Sequence, residues 1–190
     1  AQSKRQIRVA LLGSFTTAQL GWMVKLACLR WGIDVDLYEG PFAQYRQEII
    51  NPQSALYEFS PDVVILAVHD GELGLSDYST SPNEDVERES SRWTELWQIL
   101  PARCPARIVQ FNFVTPCEVA FGHLSCRLPG SRHAMINSVN MRLGTLAANS
   151  VTIVDCERLS SLLGKWKWFD SRYWYLAKQA VSLTALPLLA

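Results

Sequence analysis

Five short runs of apolar, mostly β-branched residues recur along the chain and define its predicted architecture. Each run is nearly continuous in apolar residues instead of alternating with polar ones, which is typical of strands buried on both faces of a parallel sheet. The predicted strands cover residues 7–12, 33–38, 63–68, 108–112 and 151–154.

Helical patterns separate these strands. The first helix opens after Thr16 and Thr17, which are suitable N-caps, and ends at Gly32, a residue favoured just past a helix C-terminus. The predicted helices cover residues 19–31, 44–59, 83–100, 134–149 and 171–186. This alternation predicts an α/β fold, a three-layer open doubly wound parallel sheet of about five strands, in one domain over residues 1–190.

Composition and charge exclude several classes of protein. The 190 residues include 18 basic and 18 acidic side chains, so a formal net charge of zero gives no electrostatic reason to expect nucleic acid or an anionic membrane. Seven Trp, six Tyr and seven Phe exclude a disordered chain. The longest uncharged apolar stretch, residues 180–190, is too short to span a bilayer. We expect a cytoplasmic protein with neither a nucleic-acid nor a membrane partner.

The five cysteines are an odd number and contain no Cys-x-x-Cys pair, so neither a zinc site nor a disulfide framework is indicated. Cys28 and Cys156 lie in apolar patterns typical of core positions. A nucleophilic Cys117 or Cys126 near His123 is an alternative, although a structural role is favoured for both. We expect no metal and no cofactor.

Ligands of such sheets bind outside the carboxyl ends of the strands. A single Gly13 after the first strand matches neither the dinucleotide nor the P-loop phosphate pattern. The long loop at residues 71–82 is rich in Gly, Ser and Asp, and we expect it to act as a functional lid. The strand-end loops should bring seven polar residues to one rim: Ser14, Thr16, Thr17, His69, Asp70, Gln110 and Asn112.

These loops carry a resemblance to known families. The turn GSFTT at residues 13–17 and the segment PDVVILAVHD at residues 61–70 resemble SGNH (GDSL-type) hydrolases, which implies that fold with a flavodoxin-like strand order. The same turn and residues 54–59, 110–113 and 170–178 are similar to the N-terminal domain of FkbH-like biosynthetic proteins. In that family the domain precedes a haloacid-dehalogenase-like domain, and such proteins participate in loading a glyceryl or related acyl unit onto an acyl carrier protein. The resemblance therefore implies a domain excised from a longer, multidomain polypeptide.

The chain departs from the hydrolase pattern at residues that carry the chemistry. Phe15 stands at the position of the nucleophile, His69 replaces the Asn of the Gly-x-Asn-Asp block, and Tyr173 replaces the base. Asp70 and Asp170 match the pattern. Because a serine nucleophile needs a base within hydrogen-bond reach and an acid to orient that base, the standard triad is absent. The resemblance thus implies a degenerate hydrolase site.

Candidate roles can still be assigned to the polar rim. Ser14 becomes a nucleophile only if the turn is displaced by one residue, and His69 is a candidate base or oxyanion donor. The candidate catalytic residues are Ser14, Thr16, His69, Asp70 and Asp170. The candidate substrate-binding residues are Thr17, Gln110, Asn112, His123 and Arg172.

Each assignment has a structural alternative. The Ser14 hydroxyl could cap nearby backbone, and Thr16 and Thr17 could cap the following helix. Asp170 could cap the last helix while Arg172 forms a surface ion pair. His69 could instead be a histidine whose hydrogen bonds are made to Asp70 or to the backbone of the rim, and Asn112 could be a buried amide that holds its loop. His123 could have a structural or interface role.

Three functions from different classes stay open. The favoured one is an SGNH-like domain with a degenerate site that supports acyl or glyceryl transfer to an acyl carrier protein in polyketide-type biosynthesis. The second is an atypical active esterase or acyltransferase that uses Ser14 or Thr16 with His69 or His123, and the third is a structural or oligomerising module. Expected partners are an acyl carrier protein or an adjacent domain, with a second copy as an alternative, because the apolar tail at residues 181–190 would be partly exposed on a lone domain.

Overall fold

A computed structural model of the chain describes residues 5–147 and 149–190. Its strands are β1 (Arg5–Gly13), β2 (Ile33–Glu39), β3 (Val63–Ala67), β4 (Arg107–Phe111) and β5 (Val151–Val154). They form one sheet in the order β2-β1-β3-β4-β5, with every neighbouring pair parallel. The predicted α/β architecture and flavodoxin-like strand order are confirmed.

The helices are α1 (Ala18–Arg30), α2 (Tyr45–Ile50), α3 (Ala55–Phe59), α4 (Pro82–Arg103), α5 (Arg132–Leu146), α6 (Cys156–Leu163), α7 (Lys165–Trp168), α8 (Ser171–Ala177) and α9 (Leu186–Leu189). Short 3-10 turns lie at Asp70–Glu72 and Gly122–Arg127. Among the residues described, no helix is both long and apolar enough to cross a membrane.

The helices cover both faces of the sheet because successive strand side chains point to opposite sides. In β1, Ala10 and Leu12 face the side covered by α2–α5, which we call the α4 face. Val9 and Leu11 face the side covered by α1 and α6–α9, which we call the α1 face. Each face has its own hydrophobic core, so the fold has the three layers that the sequence predicts.

The predicted helix at residues 44–59 is in fact two helices, α2 and α3. Asn51 has extended backbone angles, φ −77° and ψ 112°, because the ring of Pro52 disfavours helical geometry in the preceding residue. The Ser54 hydroxyl then donates to the Glu48 carbonyl at 2.6 Å, which holds the two short helices together.

The predicted helix at residues 171–186 is also wrong beyond Ala177. Lys178 has a left-handed backbone, φ 53°, and ends α8. Thr16 contributes to this ending because its N–H donates to the Lys178 carbonyl at 2.9 Å and its hydroxyl donates to the Ala177 carbonyl. The apolar tail that follows is partly exposed, as predicted: Ala185 and Leu186 are buried on the α1 face, whereas Leu183 and Leu188 are exposed.

Other helix ends differ from the predicted ones by small amounts. The α4 helix continues through Pro101 to Arg103, because a proline in the last turn removes a single hydrogen bond. Ser131 caps α5 by accepting the Ala134 N–H, so this helix begins at Arg132 and ends at Leu146. Residue 148 of the predicted helix lies outside the described residues. The short helices α6 and α7 were not predicted.

The loop at residues 71–82 is tied down and is not a lid. Arg132 donates from its guanidinium to the carbonyls of Leu75 and Asp70, and its backbone N–H donates to the Asp77 carbonyl at 2.9 Å. Leu75 and Leu73 are buried in the core of the α4 face. Because the apolar side chains of this loop anchor it to that core, the sequence-based expectation of a lid is wrong.

Candidate functional site

A cavity of about 370 Å³ lies at the carboxyl ends of β1, β3 and β4 on the α1 face. This is the edge of the sheet where ligands bind in doubly wound folds, and the volume suits a small molecule. Most of the wall is apolar or aromatic and comes from the strand ends together with α7, α8 and the chain after α8. Its main apolar members are Phe15, Phe111, Trp168, Trp174 and Val181.

The turn after β1 places Phe15 in the cavity wall and buries Ser14 away from it. The Ser14 hydroxyl accepts the backbone N–H of His69 at 3.1 Å, and the Ser14 N–H donates to the Ala67 carbonyl at 3.1 Å. Gly13 is required here, since a Cβ would lie 2.4 Å from the methyl group of Thr17. A phenyl ring therefore stands where the hydrolase pattern has its nucleophile.

His69 follows β3 and its ring lines the cavity. Nδ1 accepts the Gly71 N–H at 2.9 Å, so the neutral imidazole carries its proton on Nε2. The ring packs edge-on against Trp174 at 5.0 Å between centroids, and lies 6.3 Å from the Phe15 ring. Burial lowers the pKa of His69 below its ordinary value, although Asp70 and Glu72 oppose that shift.

Asp70 lines the cavity but does not orient His69 as a triad acid would. The nearest distance between its carboxylate and His69 Nδ1 is 4.0 Å, which is beyond hydrogen-bond range. Its other carboxylate oxygen lies 3.7 Å from Arg132 Nη2. The carboxylate is therefore held between the loop and α5.

Asn112 lies just past β4 and has partners at both ends of its amide. Its Nδ2 donates to Asp155 Oδ1 at 2.9 Å, and its Oδ1 accepts the Glu157 N–H at 3.0 Å. Asp155 also accepts the Arg158 N–H and caps α6. Asn112 thus fastens the end of β4 to the start of α6 while forming part of the cavity wall.

A polar cluster closes the adjoining part of the wall. Glu157 accepts the backbone N–H of Thr115 at 2.7 Å and forms an ion pair with Lys165. The Lys165 ammonium also donates to the carbonyl and hydroxyl oxygens of Thr115. Sequence reasoning missed this cluster because nothing in the spacing of Thr115, Glu157 and Lys165 indicates that the chain brings them together.

Besides Ser14, three of the predicted rim residues do not line the cavity, and neither does the candidate substrate-binding residue His123. Thr16 is bonded to the end of α8, and Thr17 is buried against Gly13. Gln110 lies on the other side of the sheet, where Oε1 accepts Trp97 Nε1–H at 3.2 Å, because side chains alternate along β4. His123 is exposed in the 3-10 turn at Gly122–Arg127 and is not part of the cavity wall.

Asp170 and Arg172 form the start of α8. The Asp170 carboxylate accepts the backbone N–H of Arg172 at 3.0 Å and pairs with the Arg172 guanidinium at 2.8 Å. That hydrogen bonding holds the pKa of Asp170 below its usual value. The contacts match the capping and ion-pair alternatives, and neither residue is part of the cavity wall.

Trp174 is the residue of α8 that lines the cavity, next to the position of the base in the hydrolase pattern. Aromatic residues are concentrated at positions 166–175 of the sequence, a pattern that by itself favours packing over a role in a site. Cys117 is exposed as a residue but also lines the cavity, and partial desolvation of its thiol by the surrounding chain raises its pKa, so the thiolate is disfavoured. Within residues 5–147 and 149–190 no cluster of His, Cys, Asp and Glu suits a metal ion.

Taken together, the site offers a shaped apolar cavity with one imidazole donor, and no activated nucleophile. No hydroxyl or thiol is hydrogen-bonded to a His69 ring nitrogen among the residues described. Nucleophilic catalysis needs such a contact within about 2.6–3.2 Å. The arrangement can enclose a small, mainly apolar ligand and offer it the neutral N–H donor of His69.

Comparison with solved structures gives the same fold. The N-terminal part of the Bacteroides fragilis protein BF1531, described as containing a phosphatase domain complexed with Mg, matches with a TM-score of 0.83 and 20% identity. That match covers 97% of this chain and 50% of that one, so the chain spans half the length of that structure. No curated protein sequence matches this chain.

Two further structures align over nearly their whole length. A GDSL-like lipase from Parabacteroides merdae, described as putative, matches with a TM-score of 0.63 and 15% identity, covering 98% of this chain and 93% of that one. TesA matches with a TM-score of 0.58 and 15% identity, covering 96% and 93%. At these identities the matches show the fold alone, which is that of GDSL/SGNH-type hydrolases. Residues 8–190 also match the sequence profile described as "FkbH, N-terminal domain", and the chain therefore belongs to the FkbH N-terminal domain family.

Proposed function

We propose that this domain binds an acyl or glyceryl unit as a thioester in the cavity and supports its transfer to or from an acyl carrier protein in polyketide-type biosynthesis, without hydrolysing it. The observation that carries the proposal is the replacement of a nucleophile by Phe15 in the wall of a cavity of about 370 Å³. A cavity without an activated nucleophile can retain an ester that a hydrolase would cleave.

His69 supplies the polar contact in this proposal. Its Nε2–H has no hydrogen-bond partner among the described residues and its ring lines the cavity. Because burial favours the neutral ring, this donor can bind a thioester carbonyl without adding a charge to the cavity. We assign His69 as the carbonyl donor, with Trp174 and Phe15 as the walls beside it.

A carrier protein or an adjacent domain would present the acyl group. Several large apolar side chains of α1 are exposed, among them Trp22 and Leu26, and such surfaces commonly contact partners. A carrier protein or an adjacent domain is therefore the partner we propose, in the intracellular setting that biosynthesis on carrier proteins requires.

Calorimetry with octanoyl-pantetheine and glyceryl-pantetheine tests binding, and intact mass after fluorophosphonate treatment tests nucleophilicity. We expect at least one thioester to bind, with no covalent adduct and no release of free pantetheine. His69→Asn keeps an acceptor for the Gly71 N–H but removes Nε2, so it should weaken binding. His69→Gln places an amide N–H near the position of Nε2 and serves as the matched control.

Two outcomes would contradict the proposal. A stoichiometric adduct on Ser14 or Thr16 with turnover would identify an atypical esterase or acyltransferase. Absence of binding to both thioesters, with the fold intact by circular dichroism, would leave a structural or oligomerising module as the better description.

A further inference from the structure

The charged groups of the cavity wall are mostly carboxylates. Asp70 and Glu118 line it, and Glu157 stands behind Thr115. The one cation in the wall, as far as the chain is described, is Lys165. An anionic ligand entering this cavity would therefore meet more negative than positive charge.

Lys165 has no donor left for a ligand. Its ammonium carries three N–H groups, and these are directed to Glu157 Oε1, the Thr115 hydroxyl and the Thr115 carbonyl. Arg132 lies outside the cavity wall, where its guanidinium donates to the carbonyls of Asp70 and Leu75 and stands 3.7 Å from the Asp70 carboxylate. Neither cation is free to neutralise a bound anion.

The helix N-termini beside the cavity are also occupied. Asp155 caps α6, and the Glu157 N–H of that helix is used by Asn112. Asp170 caps α8. Carboxylates already stand where a phosphate or a substrate carboxylate would gain most from free N–H groups and the helix dipole.

We infer that the cavity selects a neutral, apolar acyl group and excludes acyl groups that carry a carboxylate or phosphate. The inference rests on the proposed function and names its substrate class. Aromatic and aliphatic walls such as Phe111, Trp168 and Val181 favour an alkyl or aryl chain. Burial of an anion without a cation or a free N–H donor is strongly unfavourable. Glu118, exposed at the wall, contributes to this exclusion by repulsion.

Matched ligands test the inference. Octanoyl-pantetheine and its ω-carboxylated analogue, suberyl-pantetheine, have chains of the same length and differ in one terminal carboxylate. We expect suberyl-pantetheine to bind at least about tenfold more weakly, the cost of leaving that charge without a partner. Glu118→Lys should reduce this ratio severalfold by strengthening suberyl-pantetheine binding more than octanoyl-pantetheine binding. Glu58→Lys makes the same charge change at an exposed site in α3, across the sheet, and should have no effect.

The outcomes separate this inference from the proposed function. Equal or tighter binding of suberyl-pantetheine overturns the selection for neutral chains and leaves the acyl-binding function standing. A ratio that stays the same in Glu118→Lys overturns the role of the carboxylates in that selection. If neither of these thioesters nor glyceryl-pantetheine binds, the proposed function fails, and the inference with it.

Discussion

The two faces of the sheet bury tryptophans in different ways. On the α4 face, Trp93 is 1% exposed, stacks on Tyr45 at 5.7 Å and packs against Phe113 at 5.2 Å. On the α1 face, Trp174 borders an open cavity, and its neighbour Tyr175 is 79% exposed. The aromatic side chains of the α4 face therefore fill space, whereas those of the α1 face enclose it.

Two asparagines that hold the chain just after β4 show the same difference between the two faces. Asn140 of α5 holds the Phe113 backbone from the α4 side, accepting its N–H at 2.9 Å and donating to its carbonyl at 2.7 Å. Asn112 holds α6 on the α1 side through Asp155 and Glu157. Both side chains stabilise the fold, but only Asn112 lies in the cavity wall. The comparison indicates that both faces contribute to stability, whereas the candidate cavity lies on the α1 face.

The largest expected effect comes from breaking the packed face. Trp93→Ala removes a fully buried indole and should lower the free energy of unfolding by about 3–5 kcal/mol. Urea unfolding followed by far-ultraviolet circular dichroism measures this loss. Leu176→Ala, at a residue that is 84% exposed on α8, should change stability by less than about 0.5 kcal/mol. Similar losses in both variants would contradict the division.

Next in size is the effect of removing an asparagine. Asn112→Ala and Asn140→Ala should each cost about 1–3 kcal/mol, because each leaves buried backbone or carboxylate groups without a partner. The same unfolding measurement gives both values. Octanoyl-pantetheine affinity distinguishes the two variants, since it should fall in Asn112→Ala and stay unchanged in Asn140→Ala. A loss of affinity in both would show that the faces are coupled.

A smaller effect on stability, with a clear effect on binding, is expected at α8. Trp174→Ala should weaken octanoyl-pantetheine binding by about tenfold, equivalent to about 1.4 kcal/mol, because it removes part of the wall and the ring that packs against His69. Calorimetry measures the affinity. Tyr175→Ala, on the exposed side of the same helix, is the control and should bind like the unaltered protein. Unchanged affinity in Trp174→Ala would place the ligand elsewhere.

The smallest effect is a pH dependence that arises from His69. Because its pKa is lowered in the folded chain, the unfolded chain binds more protons just below the ordinary histidine value of 6.5. The free energy of unfolding should therefore be highest above that pH. It should decline as the pH falls through that value towards the lower pKa of His69 in the folded chain. Thermal unfolding across this range measures the decline. His69→Gln should show a shallower slope, and an identical slope would remove His69 as its cause.

The strand pattern predicted the fold well because continuous apolar runs have few alternatives to a doubly covered parallel sheet. Val151–Val154 was predicted to the residue. The breaks in the helices were harder to place. Pro52 is a local signal for the break between α2 and α3. The left-handed backbone of Lys178, in contrast, accompanies hydrogen bonds from Thr16, a residue far away in the sequence. Such a contact leaves no local signature.

Within the site, the rule that ligands bind at strand ends correctly brought His69, Asp70 and Asn112 to one cavity. It also included Gln110, although the alternation along β4 turns that side chain to the opposite face. The face to which the Gln110 side chain points depends on the strand register. A shift of one residue moves every side chain of a strand to the opposite face. The same sensitivity separates buried Ser14 from cavity-lining Phe15.

The sequence by itself determined the α/β class, the strand order through its resemblance to a family, and the loss of the nucleophile and base, because local hydrophobic pattern and residue identity carry that information. Only the tertiary structure decided what the cavity is made of. Thr115 meets Glu157 and Lys165, which lie 42 and 50 residues further along the chain, and the hydrogen bonds among the three leave no free cation in the wall as far as the chain is described. Whether a charged side chain is available to a ligand depends on which partners already occupy its donors, and those partners are set by the fold.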